Sequence, residues 1–338
     1  MLIVIIHWMT PAHVARHDEN SQQHSQGQVM DHIDLQQPLW MLITFVAIGW
    51  LCARRLAIDP RPIATLLIYV IAPLTFFRGL VLGEPSLSDL GLTLGLFTIS
   101  SVLCLLTRPL AAMFFPPQEA ALLAFSAGTG NTGYFGLPVA MLLLPPEGVT
   151  QYLFCLLGIT LYEFTLGFYV SARGQFSMRE SLTKIVRLPL IYAFLVALLV
   201  STLGIGIPEA VLEGLNYFKY SYTVLGMMII GMTLGGISLR EVDPRFILAA
   251  SALRFVMWPL LSLGSVMLLG SLTTLDPVLA QALLLLGVVP MAANVVVLAI
   301  ELNIQPAKGA IAVMLTTLAA PLVIPLYLSW MLAISGLG

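Results

Sequence analysis

The stretch Gly-Thr-Gly-Asn-Thr-Gly-Tyr-Phe-Gly-Leu-Pro, residues 128–138, interrupts an apolar segment that is otherwise long enough to cross a membrane. Four of its residues are glycine and its last residue is proline. Because glycine and proline both disfavour a continuous α-helix, the run predicts a break inside this segment. In hydrocarbon, an unwound backbone is tolerated only where protein or a water-filled cavity satisfies its N–H and C=O groups.

A second interruption lies in the other half of the chain, at residues 289–294 (Val-Pro-Met-Ala-Ala-Asn). Broken spans at matching positions in two halves are typical of the binding site of a secondary transporter. Asn131 and Asn294 lie beside the two openings, and the helix after the first break directs its positive dipole end at the gap. We therefore expect an anion site there, although glycine and proline also permit close helix packing without any site.

The composition indicates an integral membrane protein. The chain is 59% hydrophobic and 9% charged, with a mean hydropathy of +0.95, whereas soluble domains carry about 25% charged residues. The long apolar runs lack the period-two alternation of membrane β-strands. The sequence thus predicts an all-α membrane protein, with lipid as its surroundings.

At about 20 residues per span, the hydropathy predicts ten transmembrane helices. The fourth and ninth contain the interruptions, which gives a 5+5 repeat, inverted because each copy has an odd number of spans. Four units are predicted: a disordered or misannotated extension at 1–37, a first repeat at 38–172, a cytoplasmic linker at 173–186 and a second repeat at 187–338. Met30 is an alternative start within the extension. The predicted spans are 38–56, 61–81, 88–107, 118–145, 149–172, 187–206, 216–238, 245–271, 278–302 and 308–334.

The basic residues predict the orientation. Twelve of the 15 Lys and Arg residues flank odd-numbered loops, while the even loops carry mainly Asp and Glu. Because positive charge marks cytoplasmic loops, both termini are expected on the outer side of a multi-pass inner-membrane protein.

Glu163 is an ionisable residue in the fifth span, and such residues are functional hypotheses by default. It is expected either to bind a proton or cation for coupling, or to pair with Arg254 or Arg173. Glu301, at the cytoplasmic end of the ninth span, is a second candidate for coupling unless it is simply exposed. Arg254 itself is expected to anchor the eighth span at the cytoplasmic surface.

The remaining candidate residues surround the two breaks. Thr132 offers a hydroxyl where the backbone opens, and Tyr134 is expected either to stack on a lipophilic substrate or to pack against a neighbour. Pro138 and Pro290 shape the two interruptions.

Several classes of function are excluded or disfavoured. All five histidines precede the first span, and no GxxxxGK[ST] sequence is present, so a membrane-embedded histidine site and a nucleotide-driven pump are excluded. The spans contain no HExxH, Ser–His or paired-Asp pattern, which disfavours an intramembrane hydrolase. We expect no enzymatic activity, metal, cofactor or nucleic-acid partner.

These motifs resemble the auxin efflux carrier family, which includes the plant PIN-FORMED carriers and bacterial permeases. Residues 131–138 are similar to the family's Asn-Thr-x-x-x-Gly-Ile/Leu-Pro, and residues 290–306 match the ninth-helix pattern from Pro290 to Pro306 in residue type and spacing. Asn294 is closer to the bacterial members, because the plant carriers are apolar at this position. Glu163 departs from the amide or apolar residue that members often carry there, which leaves the coupling open.

The resemblance implies an architecture related to the sodium–bile acid symporters, in which the fourth and ninth helices cross and hold a carboxylate. Asn131 and Pro138 then belong to the first crossing helix and Pro290 to the second. Spans one, two, six and seven would form a scaffold, often a homodimer, past which the other spans move as an elevator. The implied function is secondary transport of small organic anions, with a sodium-coupled symporter or a non-transporting sensor as alternatives.

Overall fold

The computed structural model describes residues 36–172, 189–235 and 242–335, and these ranges contain helices but no β-strand. The predicted extension at 1–37 lies almost entirely outside the described residues, and so does the predicted linker at 173–186. The all-helical class expected from the composition is therefore confirmed for the part of the chain that the structure describes.

Twelve helices, labelled in chain order, account for these ranges. They are α1 (Gln36–Leu56), α2 (Pro60–Leu82), α3 (Leu87–Ala112), α4 (Pro117–Ala127), α5 (Leu137–Leu143), α6 (Pro146–Ser171), α7 (Pro189–Thr202), α8 (Glu209–Gly235), α9 (Pro244–Leu272), α10 (Pro277–Val288), α11 (Asn294–Glu301) and α12 (Pro306–Ser335).

Six of the described helices, α1, α2, α3, α6, α9 and α12, are long and apolar enough to cross a membrane. Helices α7 and α10 are shorter apolar helices. The apolar segments predicted as the fourth and ninth spans each contain two helices, α4 with α5 and α10 with α11, separated by irregular backbone. We refer to residues 128–131 as the first break and to residues 289–293 as the second break.

The first break is shorter than the sequence suggests. The glycine-rich run predicts an opening over residues 128–138, but helical structure resumes at Thr132 as a π-helical turn, Thr132–Gly136, that leads into α5. Gly136 and Pro138 therefore lie within helical structure. Pro138 directly follows the π-helical turn and has no N–H to pair with the carbonyl groups of that turn.

Aspartates preceding proline start several of the helices. Asp59, Asp243 and Asp276 each accept a hydrogen bond from a backbone N–H in the first turn that follows, and a proline occupies the first helical position. This combination caps the unpaired N–H groups at a helix start and presets the backbone. These signals explain why α2, α9 and α10 begin close to the predicted span boundaries.

Small residues bring α1 and α8 into close contact. Gly231 and Gly235, four positions apart on α8, lie against Val46 and Ala53 of α1, and a methyl group at either glycine would collide with α1. Spacing small residues in this way lets two helix backbones approach closely within a membrane. Close approach of the two backbones at these positions therefore contributes to the packing of α1 against α8.

π-Helical turns interrupt three of the long helices. They are Leu67–Ile71 in α2, Glu163–Gly167 in α6 and Leu253–Met257 in α9. Such turns are rare and are often found at functional sites. In this protein they place Ile68, Glu163 and Arg254 near the two breaks.

Candidate functional site

The two breaks meet in the structure. The backbone N–H of Asn131, in the first break, donates a 2.8 Å hydrogen bond to the carbonyl oxygen of Pro290, in the second. This contact satisfies two backbone groups that no helix could pair at these positions. It also fixes the two interruptions side by side, so that side chains from both can surround one volume.

Asn131 caps the helical structure that follows the first break. Its Oδ1 atom accepts a 3.2 Å hydrogen bond from the backbone N–H of Phe135. Asn131 is 3% exposed, and its buried Nδ2 atom has no hydrogen-bond partner within the described part of the chain. The backbone N–H groups of Gly133 and Tyr134 lie in the first turn, where a helix offers them no internal acceptor. This end of the helix thus presents several hydrogen-bond donors.

Glu163 connects the two breaks through its carboxylate. The hydroxyl of Thr129, in the first break, donates to Oε1 of Glu163, and Nδ2 of Asn294, at the start of α11, donates to Oε2 over 2.8 Å. Glu163 is buried, with 8% exposure. The expectation that it pairs with Arg254 is wrong, because no ion pair joins these two described residues and neutral donors from the breaks bond the carboxylate instead. Arg173 lies outside the described residues.

Side chains from neighbouring helices cap the carbonyl ends at both breaks. Nε1 of Trp258 donates to the carbonyl of Ala127 at the end of α4 over 2.9 Å. Arg254 donates from Nε to Val289 and from Nη2 to Leu286, at the end of α10. These bonds satisfy carbonyl groups that are left without partners where a helix ends.

Arg254 is therefore not the cytoplasmic anchor that the sequence suggested. It is 2% exposed and its guanidinium lies 5.0 Å from the ring centre of Trp258. The sequence signal that could have revealed this role is the pair Arg254 and Trp258, one helical turn apart in an otherwise apolar segment. Two residues at this spacing lie on the same face of a helix.

A cavity of about 120 Å³ opens where the breaks meet. Its polar lining includes Asn131, Glu163 and Asn294, and its aromatic lining includes Phe76, Tyr134 and Tyr222. The ring of Tyr222 lies 6.1 Å from that of Tyr134 and 5.7 Å from that of Phe76, centre to centre. Phe76 and Tyr222 come from α2 and α8 and carry no motif that could have identified them from the sequence.

The structure brings most of the candidate residues to this cavity. Asn131, Thr132, Tyr134, Glu163 and Asn294 line it. Pro138 is buried in the first turn of α5, away from the lining, and Pro290 contributes its backbone carbonyl to the contact between the breaks. The side chain of Glu301 lies outside what the structure describes. In the described ranges, no group of three or more His, Cys, Asp or Glu side chains is arranged to hold a metal ion.

Comparison with known proteins gives two matches. Residues 173–328 match a family described as membrane transport protein. An uncharacterized transporter of Methanocaldococcus jannaschii is 28% identical over 207 residues, which cover 60% of this chain and 65% of that protein's own length. The chain thus aligns with slightly less than two thirds of this relative.

The long apolar helices indicate a multi-pass membrane protein. Part of its chain is similar to membrane transport proteins. The family match over residues 173–328 agrees with the resemblance that the two interrupted segments indicated.

Proposed function

We propose that this protein is a secondary carrier of small organic carboxylates, which bind in the cavity between the two breaks. The observation that carries the proposal is the buried amide Nδ2 of Asn131, which lines this cavity and has no hydrogen-bond partner in the described structure. Because a buried polar group without a partner is costly, the amide is suited to a ligand that accepts hydrogen bonds.

A carboxylate fits the donors at this end of the cavity. The N–H groups of Gly133 and Tyr134, together with the dipole of the helical structure they begin, favour a negative group. The aromatic rings of Phe76, Tyr134 and Tyr222 provide an apolar surface for the rest of the molecule. A small organic anion would thus have its charge at Asn131 and its carbon skeleton against these rings.

We further propose that the chain forms ten spans, arranged as a 5+5 inverted repeat whose broken helices cross at the cavity. Three polar contacts support this topology. Lys308 at the start of α12 contacts Glu119 in α4 and Asp243 before α9, so three predicted odd loops lie together. Gln151 near the start of α6 contacts Asp276 before α10, which groups two predicted even loops.

In this arrangement α1, α2, α7 and α8 form the scaffold, which offers the surface for a homodimer, and the other helices move past it as an elevator. The termini lie on the outer side of the inner membrane. Transport by this route requires no enzymatic step. We therefore propose that the protein is a carrier and not an enzyme.

Glu163 favours an ion-coupled form of the carrier. A carboxylate that contacts both breaks changes its interactions with Thr129 and Asn294 when it takes up a proton or a cation. We propose proton coupling at Glu163, with a sodium-coupled symporter as the alternative, since the Thr129 hydroxyl and the carboxylate are oxygen ligands suited to a hard cation. A coupling role for Glu301 remains part of this proposal.

A stability screen followed by a flux assay tests the function. The purified protein is heated with acetate, benzoate, malonate or malate, and any stabilising anion is then used for counterflow in proteoliposomes. Stabilisation with counterflow supports a carrier, whereas stabilisation without counterflow supports the alternative of a non-transporting sensor. An absence of both for all four anions contradicts the proposed carboxylate site.

A further inference from the structure

Arg254 is a buried cation whose charge is not paired with any acid among the residues that the structure describes. The residue is 2% exposed, and none of the carboxylates in the described ranges forms an ion pair with it. Arginine remains protonated in proteins, and a charged group inside a membrane protein is costly to keep. We therefore expect Arg254 to have a function in the cavity between the two breaks.

The guanidinium of Arg254 contacts both breaks. It donates hydrogen bonds to the carbonyls of Val289 and Leu286 at the second break. At the first break it packs against Gly130, where an added Cβ atom would lie 2.6 Å from Cζ of the guanidinium. Gly130 also lines the cavity. The positive charge thus lies directly behind one residue of the cavity wall.

The neighbouring charges make this position significant. Glu163 lines the cavity and bonds Thr129 and Asn294, so its carboxylate opposes the entry of a second carboxylate. A guanidinium behind Gly130 acts in the opposite direction, and its field reaches the cavity because interior charges are weakly screened. The ring of Trp258, 5.0 Å from the guanidinium, stabilises the cation at this position.

We propose that Arg254 is a positioning residue that joins the two breaks and supplies the positive potential that a substrate carboxylate needs beside Glu163. This inference rests on the proposed carboxylate site and adds a determinant that does not line the cavity. It has two separable parts: the hydrogen bonds hold the second break in place, and the charge lowers the KM for anions.

Three variants separate charge from hydrogen bonding. Arg254→Lys keeps the charge but loses the fork of donors, and Arg254→Gln keeps donors but loses the charge. Arg245→Gln, at the exposed start of the same helix, is the matched control. The assay measures KM and Vmax for benzoate, as monoanion, and malonate, as dianion, in proteoliposomes.

We expect Arg254→Gln to raise KM by about 10- to 100-fold, a range typical of losing one unscreened charge near a buried anion. We expect the increase to be larger for malonate than for benzoate, Arg254→Lys to stay within a few-fold of wild type, and Arg245→Gln to be unchanged. An equal KM in wild type and Arg254→Gln, or equal losses in the Lys and Gln variants, contradicts the electrostatic part of the inference.

Hydrogen–deuterium exchange tests the positioning part without any substrate. Arg254→Gln and Arg254→Lys should both speed exchange of the amides at residues 128–131 and 291–294, while Arg245→Gln should not.

If neither Arg254 variant folds, Gly130→Ala replaces them, because its methyl group displaces the guanidinium and leaves every charge present. Unchanged exchange at both breaks contradicts the positioning role. A wild-type protein that transports neither anion contradicts the proposed function instead, and leaves the exchange experiment valid.

Discussion

The backbone N–H of Asn131 donates a 2.8 Å hydrogen bond to the carbonyl of Pro290, although the two residues lie in opposite halves of the chain. Each residue belongs to a helix break that could not satisfy its own backbone groups inside a membrane. The contact therefore explains how two costly interruptions are tolerated, since each supplies a partner to the other. It also places one cavity between the two halves.

Replacing Glu163 tests ion coupling with little disturbance of geometry. In Glu163→Gln, the new Oε1 can accept from Asn294 and the new Nε2 can donate to the Thr129 hydroxyl, so both contacts persist without a titratable group. We expect uptake driven by an imposed pH gradient to fall to the level seen without a gradient.

The matched control for this variant is Glu147→Gln, in the exposed first turn of the same helix. It should retain the full response to the gradient. Gradient-driven uptake in Glu163→Gln that equals wild type contradicts proton coupling at Glu163. If Glu163→Gln instead loses a response to a sodium gradient, the symporter alternative is supported.

Gly136 provides a test of the packing beneath the first break. A methyl group there would collide with the hydroxyl of Tyr152 and lie 2.9 Å from Val289. The Tyr152 hydroxyl donates a 3.0 Å hydrogen bond to the carbonyl of Thr132, so moving it disturbs the π-helical turn. We expect Gly136→Ala to cost about 1–3 kcal/mol, the range for overpacking a dense interior.

Unfolding of the purified protein in detergent measures this loss. Gly264→Ala on α9 is the control, because an added Cβ there has no atom within 4 Å. It should be neutral or slightly stabilising, since alanine favours a helix over glycine. If Gly136→Ala and wild type are equally stable, the π-helical turn has room for a side chain, and the expected collision with Tyr152 is contradicted.

The contact between Lys308 and Asp243 gives a pH-dependent contribution to stability. The hydrogen bond from Lys308 lowers the pKa of Asp243 below the ordinary value of an aspartate. A carboxyl group whose pKa is lower in the folded protein stabilises the fold above its unfolded pKa and loses this effect as the pH falls through the folded pKa. Asp243→Asn should thus lower Tm at pH 7, and the difference from wild type should shrink as the pH approaches 3.

Asp59→Asn is the control for this measurement, because Asp59 also caps a helix and asparagine retains the cap acceptor. It should change Tm little at either pH. A Tm difference for Asp243→Asn that stays constant between pH 7 and pH 3 shows that the ion pair with Lys308 is not its cause.

Much of this architecture follows from local sequence. The breaks could be located because glycine, proline and asparagine cluster at residues 128–138 and 289–294, and these residue types act on the backbone where they occur. The helices that follow Asp59, Asp243 and Asp276 each begin at an Asp-Pro pair, which also acts on the backbone locally. The end of the first break was misplaced, because Gly133 and Gly136 serve close packing against Tyr222 and Tyr152 rather than unwinding.

The partners of the buried charges could not be predicted from the sequence. Glu163 bonds Thr129 and Asn294, and Arg254 bonds Val289, through contacts that depend on how distant helices pack. The π-helical turn that contains Arg254 ends two residues before Pro259, whose missing N–H interrupts a helix, but no proline follows the turn that contains Glu163. Tertiary packing selects these conformations, which is why the charge balance of the site emerges only from the structure.

The substrate KM of Asn131→Asp tests the central claim most directly. Aspartate keeps the oxygen that accepts from Phe135, so the cap is preserved, but it replaces the unpaired Nδ2 donor with a negative oxygen. The control, Asn216→Asp, makes the same change on α8 outside the cavity lining. In proteoliposomes loaded with the carboxylate that the stability screen selects, we expect Asn131→Asp to raise KM at least about tenfold, as losing a hydrogen bond to a charged group does, while Asn216→Asp remains at the wild-type value. If KM and Vmax of Asn131→Asp both equal those of wild type, the substrate carboxylate does not bind where the two breaks meet.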